Sequence, residues 1–288
     1  MASVIPLAEL LRIVRNLATF PPALAMLNVA INNHDPPDKI AAIIGSDTDL
    51  TSRLLRLANS AYYGMPRQIV QLSESVVVLG MRTVKNLAVV AAAYPWMSKA
   101  LNGYGLGPEE MWNHSFGTAL GAKTIAALSK RCDPDSAFTA GLLHDIGKVA
   151  LNVWIGSKLK AIVYYAEREG IAFDAAERRI LGFDHTEVGE YLGRNWNLPE
   201  EVVAAIRYHH CPNDAEPPLP IIDCVHIGGY LTMTMGFGLG GDGLRYELFS
   251  ECFERLEIEP DDLDRITDNF VVAYEEYESM FKELASQC

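Results

Sequence analysis

The sequence GLLHDIGKVAL, residues 141–151, places an imidazole and a carboxylate side by side, His144 and Asp145, in an otherwise apolar run. Buried polar groups need hydrogen-bond or metal partners, because an unpaired buried charge is costly. Two interpretations are therefore open, a buried hydrogen-bonded pair or two ligands of a metal ion. The choice depends on whether further ligands occur elsewhere in the chain.

Length, composition and charge indicate a soluble globular protein. The chain has 288 residues, of which 49% are apolar and 21% charged, and this is enough for a large core in one or two domains. The formal net charge of −13 disfavours direct nucleic-acid binding, because an acidic surface repels phosphate backbones. Binding of a small phosphorylated ligand is still compatible with this net charge, since a metal ion reverses the sign of the charge locally.

The cysteines and the apolar runs predict a cytoplasmic protein. Five scattered cysteines without a C-x-x-C pair are typical of a reducing compartment and not of a disulfide framework. The N-terminus shows no secretory signal peptide. The longest apolar run, LAVVAAAYPWM at 87–97, is too short to span a bilayer. We interpret it as a core helix that ends at Pro95, and we expect no membrane association.

Helical spacing of apolar residues dominates and strand-like alternation is almost absent, which predicts an all-α fold. An N-terminal helical bundle would occupy residues 1–105 and end in the glycine-rich loop LNGYGLGPEE, 101–110. A second helical bundle would follow over 106–235, and an acidic helical extension over 236–288. Within the second bundle and at its start, helices are predicted at 109–130, 135–151, 157–170, 174–182, 185–195, 199–210 and 220–234.

Five of the seven histidines fall between residues 114 and 210, on or at the ends of predicted helices. Imidazole and carboxylate are borderline donors that suit first-row transition metals, and ligands from several helices of a bundle can converge on its interior. Taken singly, a buried histidine is more often a satisfied core residue. Taken together, these residues predict a site for one or two divalent ions of Fe, Mn, Zn, Ni or Co. The candidate ligands are His114, His144, Asp145, His185, His209 and His210.

Two residues near these ligands allow both a functional and a structural interpretation. Lys148 follows Asp145 by one turn, where it would orient the carboxylate, meet a substrate phosphate in catalysis, or form an ordinary surface pair. Glu110 precedes His114 by one turn, where it would add a ligand or cap the first helical turn.

Several longer motifs occur in a fixed order in this chain: LLRLANSAYYG, SVVVLGMRTVKNL, MWNHSFGTA, AGLLHDIGKVAL and HTEVGEYLGRNWNLP. Together they resemble the HDOD family, the "HD-related output domain" of bacterial signalling proteins, within the HD superfamily of metal-dependent phosphohydrolases. The resemblance covers roughly residues 16–215. It implies a small helical bundle packed on an HD-type bundle, and a regulatory role exercised through partners, often without catalysis.

Two positions, Gly229 and Cys211, depart from the pattern of the HD enzymes. The resemblance places Gly229 where those enzymes carry a last aspartate ligand, and Asp223 lies two turns away along the same predicted helix. The HD-GYP relatives, which cleave cyclic di-GMP, follow their paired histidines with Glu, where this chain has Cys211. These departures argue against full activity, although a ligand position left open to water is also what metal-assisted hydrolysis requires.

Three functions remain open from the sequence. We favour a signalling module that binds metal as a structural or sensory element and acts through a signalling protein partner, with a homo-oligomer left open. The alternative is a metal-dependent phosphohydrolase acting on a nucleotide or cyclic dinucleotide. In that enzyme, metal-activated water would attack phosphorus while Lys148 stabilised the phosphate. The third is a hydrogen-bonded polar cluster without metal.

The segment ANSAYYG, 58–64, is the candidate interaction surface of the N-terminal bundle. It places Asn59, Tyr62 and Tyr63 at the end of a predicted helix, before Gly64. Asn and Gly also suit helix C-termini, so helix termination and packing is the alternative interpretation.

Overall fold

A computed structural model of the chain describes residues 26–27, 29–30, 35–60, 63–237, 246–259 and 261–285. Within these residues all regular structure is helical, and the one β contact is an isolated bridge between Leu101 and Leu106. The prediction of an all-α fold is therefore confirmed.

From residue 37 onward the described residues form fourteen α-helices. They begin with α1 (Pro37–Gly45), α2 (Thr48–Ala58), α3 (Leu72–Leu79) and α4 (Met81–Met97). Those that follow are α5 (Glu110–Ser129), α6 (Pro134–Leu143), α7 (Ile146–Ile155), α8 (Leu159–Glu169), α9 (Phe173–Leu181), α10 (His185–Asn195), α11 (Glu200–Tyr208), α12 (Pro220–Thr234), α13 (Ser250–Leu256) and α14 (Asp262–Ala285).

Aspartate side chains set the starts of several helices. Asp47 accepts a hydrogen bond of 2.9 Å from the backbone N–H of Leu50 and begins α2. Asp133 begins α6 and Asp184 begins α10 in the same way. Such a cap satisfies an N–H group that has no partner inside the helix. The cap at Asp184 fixes the first residue of α10, which is His185.

Helix α4 runs past Pro95 to Met97, so the predicted end at that proline is wrong. Proline has no N–H to donate to the carbonyl four residues earlier, which here belongs to Ala91. Nε of Arg53, from α2, donates a hydrogen bond of 2.8 Å to that carbonyl oxygen. The freed acceptor is thereby satisfied, and the helix continues.

The single helix predicted over 135–151 is also wrong. It is divided into α6 and α7 at His144 and Asp145, and the backbone of Asp145 leaves the helical region with φ −100° and ψ 13°. The two parts pack on different partners, α6 mainly on α5 and α7 mainly on α10. A straight helix could not reach both, so the chain changes direction at the two polar residues.

Two glycines of the opening motif make the close helix crossings on either side of this break. A Cβ atom on Gly141 would lie 2.7 Å from the Cα atom of Ala119 in α5. A Cβ atom on Gly147 would overlap the carbonyl oxygen of His185 in α10. Ordinary carbon contacts begin near ~3.5 Å, so neither position has room for a side chain. Because these glycines lack a side chain, α5 and α10 can pack closely on either side of the break.

The N-terminal helices pack directly on the rest of the molecule. Nδ2 of Asn86, on α4, donates a hydrogen bond of 2.7 Å to Asp135 on α6. In the connection between α4 and α5, Tyr104 is buried, and the backbone N–H of Gly103 donates to Oδ1 of Asn152 at 2.7 Å. This connection is therefore packed against α7. The division of the chain into three segments, 1–105, 106–235 and 236–288, stays a prediction.

The C-terminal helices close the molecule beside α5 and α12. Arg255 of α13 forms a two-pronged ion pair with Asp223 of α12, with N–O distances of 2.6 Å and 2.9 Å. Helix α14 packs along α5, where Tyr277 meets the ring of Phe116 edge-on. Among the helices that the structure describes, none combines the length and the apolar character needed to cross a membrane.

Candidate metal centre

The candidate ligands surround the buried carboxylate of Asp145. On one side of it, Nε2 of His114 and Nε2 of His144 lie 3.6 Å and 3.4 Å from Oδ2 and 3.3 Å from each other. Lys148, one turn into α7, donates a hydrogen bond of 2.7 Å from Nζ to the same oxygen. We call His114, His144, Lys148 and Oδ2 of Asp145 the Oδ2 side.

The other carboxylate oxygen faces His185 at the start of α10 and the paired histidines at the end of α11. Nε2 of His185 and Nε2 of His209 lie 3.3 Å and 3.5 Å from Oδ1. Nε2 of His210 lies 3.0 Å from Nε2 of His185. One ligand atom from each of these four residues lies within 4.8 Å of all the others, a spacing that a single ion can bridge. We call this set the Oδ1 side.

Two of the imidazoles are oriented by the ends of the helices that carry them. Nδ1 of His144 donates to the carbonyl oxygen of Gly141 at 2.6 Å, and Nδ1 of His209 donates to that of Ile206 at 3.0 Å. The last carbonyls of a helix lack partners within it, so they are free to accept these bonds. A carbonyl only accepts, and the proton of each neutral ring therefore sits on Nδ1. The lone pair of Nε2 then faces Asp145, as a metal ligand requires.

Glu177 of α9 orients His185, although it is not among the residues predicted from the sequence. Its fully buried carboxylate accepts hydrogen bonds through Oε2 from Nδ1 of His185 at 2.5 Å and from the backbone N–H of that residue at 3.1 Å. Its Oε1 accepts a hydrogen bond of 2.8 Å from the hydroxyl of Tyr104. A carboxylate behind a histidine is a common support for a metal ligand. The available signal was a carboxylate in the apolar stripe of α9, between Phe173 and Leu181.

Burial keeps three of the rings neutral. It lowers the pKa of His144 and of His209, and it lowers that of His210 well below the usual value for histidine. The charge of neighbouring imidazoles acts in the same direction on His209 and His210. Neutral rings keep a lone pair on one nitrogen, so all three are able to coordinate a cation.

Asp145 and His185, by contrast, carry charge. Burial raises the pKa of Asp145, but the positive charge of Lys148 and the neighbouring imidazoles together outweigh it and hold that pKa well below the usual range. Burial lowers the pKa of His185, but the nearby carboxylates, above all that of Glu177, outweigh it and raise that pKa to about 10. In the absence of a metal ion, the charged ring of His185 therefore donates from Nδ1 to Glu177, and its Nε2 faces Nε2 of His210 at 3.0 Å.

The residues of the Oδ1 side fit a metal ion. Oδ1 of Asp145 and Nε2 of His209 are buried without a hydrogen-bond partner among the described residues, and they face each other at 3.5 Å. Two acceptors in contact gain nothing from each other, and leaving each one unsatisfied costs about 1–3 kcal/mol. A cation between them removes that cost. One carboxylate and three imidazoles suit divalent Fe, Mn, Zn, Ni and Co alike.

The comparison with protein families agrees with this arrangement. The family model of the HDOD domain matches the chain over residues 17–212, a range that includes all six candidate ligands. The chain belongs to the HDOD domain family. The helical bundles predicted from the resemblance are thus those of an HDOD protein, with the His144–Asp145 break at their centre.

Two longer proteins share part of this HDOD sequence. A protein of Treponema pallidum is 28% identical over 225 residues, which are 77% of this chain and 42% of that protein. Ribonuclease Y of Thermus thermophilus is 29% identical over 146 residues, which are 51% of this chain and 19% of that enzyme. The chain spans less than half the length of both relatives.

Solved structures share the fold over nearly the whole chain. An HDOD domain protein of unknown function from Geobacter sulfurreducens is 26% identical, with a TM-score of 0.67 and 98% of both chains covered. A provisionally named phosphohydrolase from Shewanella amazonensis is 24% identical, with a TM-score of 0.73, and the match covers 96% of this chain and 98% of that one. The helical architecture is therefore that of the family.

The cavity beside the cluster of this HDOD protein is small. It opens next to the Oδ2 side, where His114, His144 and Lys148 line it together with Gly229 of α12, and its volume is about 20 Å³. Such a volume holds about one water molecule. Pockets that take small-molecule ligands are commonly ~300 Å³ or larger.

Gly229 and Asp223 have different positions relative to the cluster. Gly229 lines the cavity, and a Cβ atom there would lie 3.7 Å from Cγ2 of Thr118, an ordinary contact. Asp223 is held by Arg255, as described above, and does not belong to either group of clustered ligands among the described residues. No carboxylate of α12 replaces the aspartate that the resemblance assigns to position 229.

Two further residues have structural roles. Oε2 of Glu110 accepts a hydrogen bond of 2.6 Å from the backbone N–H of Gly107 and so ties the start of α5 to the connection before it. His226 of α12 is buried, donates from Nδ1 to the carbonyl oxygen of His209 at 2.7 Å, and accepts from the backbone N–H of Phe249 at 3.2 Å. It therefore braces the end of α11 against the C-terminal part of the chain.

The candidate interaction surface is partly engaged within its own bundle. Nδ2 of Asn59 donates to the carbonyl oxygens of Leu55 and Ile69, and its Oδ1 accepts from the backbone N–H of Ile69 at 2.6 Å. Tyr63 is half-buried and packs on the core, and Tyr62 lies outside the described residues. Asn59 thus ties the end of α2 to the segment before α3. An interaction role for these residues stays a prediction.

Proposed function

We propose that this HDOD protein is a regulatory module of bacterial signalling that binds one divalent transition-metal ion at the Oδ1 side and acts through a protein partner. The observation that carries the metal is the contact between two buried acceptors, Oδ1 of Asp145 and Nε2 of His209. An ion at this point joins α10 and α11 to the break between α6 and α7. The ion would therefore stabilise the packing of these four helices, or its binding would depend on that packing.

The Oδ2 side is the weaker of the two positions for an ion. Nζ of Lys148 already donates to Oδ2 at 2.7 Å, and this buried ammonium repels a second cation. Gly229 contributes no ligand where active HD enzymes carry an aspartate. With two imidazoles and an oxygen already in use, this side offers a poorer set of ligands than the three imidazoles and free oxygen opposite.

The same features favour regulation over catalysis. A metal ion, when bound, would supply a Lewis acid and an activated water for phosphoester hydrolysis. A nucleotide must also reach the cluster, and the cavity of about 20 Å³ beside it holds about one water molecule. The ammonium of Lys148 is engaged by Asp145 and is buried. Among the described residues, those around the cluster therefore orient ligands for a metal ion and leave a space smaller than a nucleotide needs.

The partner that we propose is a protein. A formal net charge of −13 opposes close approach of a phosphate backbone, and the HDOD family is that of signalling output domains. Self-association into a homo-oligomer is the second form that such contacts would take.

A phosphohydrolase is the second candidate function, and one observation favours it. The chain is similar over half its length to Ribonuclease Y, whose name describes an enzyme that acts on a phosphodiester. In this alternative, displacement of Tyr246 and Glu247, which line the cavity, would admit a nucleotide or cyclic dinucleotide to the Oδ2 side, and Lys148 would leave Asp145 to contact its phosphate.

Two measurements on the purified full chain test the proposal. Elemental analysis after preparation without chelator is expected to give one transition-metal ion per chain. A panel of nucleotides and cyclic dinucleotides, incubated with Mn²⁺ or Fe²⁺, is expected to remain uncleaved. Turnover that disappears in His144→Ala or Asp145→Ala would overturn the regulatory function. Protein that contains no metal and does not bind Mn²⁺ or Zn²⁺ in titration would instead support a proton-bridged cluster.

A further inference from the structure

Two cysteines from distant parts of the sequence lie in contact. Cys132 is in the connection between α5 and α6, and Cys224 is on α12. Their Sγ atoms are 3.7 Å apart, although 92 residues separate them. Both are free thiols, with Cys224 buried and Cys132 half-buried. A small reagent can therefore reach the first sulfur, and the second lies directly behind it.

We propose that Cys132 and Cys224 form a reversible disulfide when the protein meets a hydroperoxide. A disulfide has an S–S length of about 2.05 Å, so the two sulfur atoms must approach by less than ~2 Å from their separation of 3.7 Å. Cys132 lies outside regular helix, between Ser129 at the end of α5 and Pro134 at the start of α6. Its backbone can adjust without breaking a helix.

The reaction has two steps that balance. The thiolate of Cys132, whose proton has passed to solvent, attacks one oxygen of the hydroperoxide and breaks the O–O bond. This gives a sulfenic acid and an alkoxide or hydroxide, which takes up a proton. The sulfur of Cys224 then attacks the sulfur of Cys132, the S–S bond forms, and the expelled hydroxide leaves as water with the proton of Cys224. Two thiols lose two electrons, and the peroxide gains them.

The environment favours Cys132 as the attacking thiol. The hydrogen bond from Cys224 lowers the pKa of Cys132, and the same bond raises the pKa of Cys224. Burial raises the pKa of Cys211 to about 11 and also raises that of Cys252. A thiolate is the reactive form, so these two thiols are poorer competitors for the oxidant.

The surrounding charge favours closure of the pair over reaction with an external thiol. The carboxylates of Glu201, Asp133 and Asp223 are near enough to raise the pKa of Cys132, although the hydrogen bond from Cys224 outweighs them. They repel anionic reagents such as glutathione, whereas a neutral hydroperoxide is not repelled. Cys224 needs no encounter from solution, because it is already in contact.

The link would act on helix packing around the metal centre without using its ligands. Helix α12 carries Gly229, which lines the cavity, and His226, which holds the carbonyl of His209. Helix α5 carries His114 and ends three residues before Cys132. A bond between Cys132 and Cys224 would therefore pin α12 to the α5–α6 connection.

The experiment starts from the reduced full chain, freed of reductant and treated with an equimolar amount of hydrogen peroxide. Intact mass spectrometry is expected to show the loss of two hydrogen atoms, reversed by dithiothreitol. Fragment spectra of a protease digest are expected to join Cys132 to Cys224. Cys132→Ser and Cys224→Ser should each abolish this link, and Cys211→Ser, the matched control, should keep it.

Oxidation should also raise the Tm of the wild-type chain by roughly 5–10 °C, since the link closes a long loop.

Several outcomes would overturn the proposal. One is a chain that keeps both thiols titratable after peroxide has been consumed. Another is a disulfide that joins other cysteines and persists in Cys132→Ser. With glutathione added to the reaction, a mixed disulfide at Cys132 in place of the internal link would also contradict it. A Tm that falls on oxidation of the wild-type chain, but not of Cys224→Ser, would show that the link distorts the helix packing that it should hold.

Discussion

The two sides of Asp145 use the same carboxylate and similar histidines, yet they differ in what lies behind them. On the Oδ2 side a buried ammonium, that of Lys148, already satisfies the oxygen. On the Oδ1 side no donor does so among the described residues, and a second carboxylate, that of Glu177, supports His185 from behind. The difference teaches that a shared ligand can be committed to a protein cation through one oxygen and remain open through the other.

The two sides differ in charge as well as in geometry. A cation beside Oδ2 holds Asp145 ionised, which makes Oδ1 a better ligand, and it also repels an ion from its own side. Glu177 adds negative charge where the ion is expected. The following predictions test whether the two sides differ as strongly as the contacts indicate, beginning with the largest effect.

Replacement of Asp145 by Asn should weaken metal binding at the Oδ1 side and remove the charge opposite Lys148 at the Oδ2 side. The chain loses the ligand that all the histidines share, and we expect affinity for Mn²⁺ to fall by more than about 100-fold in titration calorimetry. Lys148 is left buried opposite a neutral amide, which should lower the free energy of unfolding in urea by about 3–5 kcal/mol. The double variant Asp145→Asn, Lys148→Met separates the two effects, because it should recover stability and not metal binding. Retention of the ion in Asp145→Asn would contradict the central role of this residue.

Removal of one histidine from each side compares the sides directly. His209→Ala should lower the affinity for Mn²⁺ by about 100-fold, since it deletes a ligand whose Nε2 has no other partner. His144→Ala should lower it by less than about 10-fold, because Oδ2 keeps its bond to Lys148. The same titration measures both variants. Equal losses of affinity would contradict the proposed difference between the sides. A larger loss in His144→Ala would place the ion on the Oδ2 side of the carboxylate.

Glu177→Gln should weaken the Oδ1 side without touching a ligand. The amide can still accept a hydrogen bond from Nδ1 of His185, but it carries no charge, and we expect a loss of about 10–100-fold in metal affinity. Glu200→Gln is the matched control, because Glu200 is an exposed carboxylate near the start of α11 and should leave affinity unchanged. A Glu177→Gln variant that binds Mn²⁺ as tightly as Glu200→Gln would show that Glu177 only fills space.

Gly229→Asp should make the Oδ2 side more like the Oδ1 side in its ability to bind a metal ion. A Cβ atom at this position makes only an ordinary contact with Thr118, and the cavity lies in front of it. We expect a second, weaker equivalent of Mn²⁺ in the titration, because a new carboxylate offsets the charge of Lys148. Gly229→Ala controls for the added atom and should bind one ion only. A single equivalent in both variants would mean that Lys148 alone decides the occupancy of this side.

The sequence predicts the all-α fold and singles out Asp145 and the five histidines that lie around it, and the reason lies in local rules. Each of His144 and His209 follows the end of a helix, and His185 follows a capping aspartate, so their positions depend on near neighbours in the chain. Helical spacing and capping are visible without coordinates. The convergence of these residues stayed a hypothesis, because it depends on how α5, α7, α10 and α11 cross.

The features that were missed depend on contacts between distant segments. The continuation of α4 through Pro95 requires Arg53 on another helix, and the role of Glu177 requires Tyr104, 73 residues earlier. The division of the predicted helix 135–151 has the same origin, since α6 and α7 serve different partners. The local pattern offers only one signal, the carboxylate of Glu177 in an apolar stripe, and it does not distinguish Arg53 from a surface charge or Pro95 from a helix-ending proline.

The contact of Gly147 with the carbonyl of His185 has a consequence for how such sites change over time. Main chain touches main chain there, so the distance between the two helices is set by atoms that every residue type shares. Substitutions can delete, add or exchange ligands around this contact, at position 229 for example, while the frame keeps its dimensions. The set of ligands around such a contact can therefore change one residue at a time while the helices keep their separation.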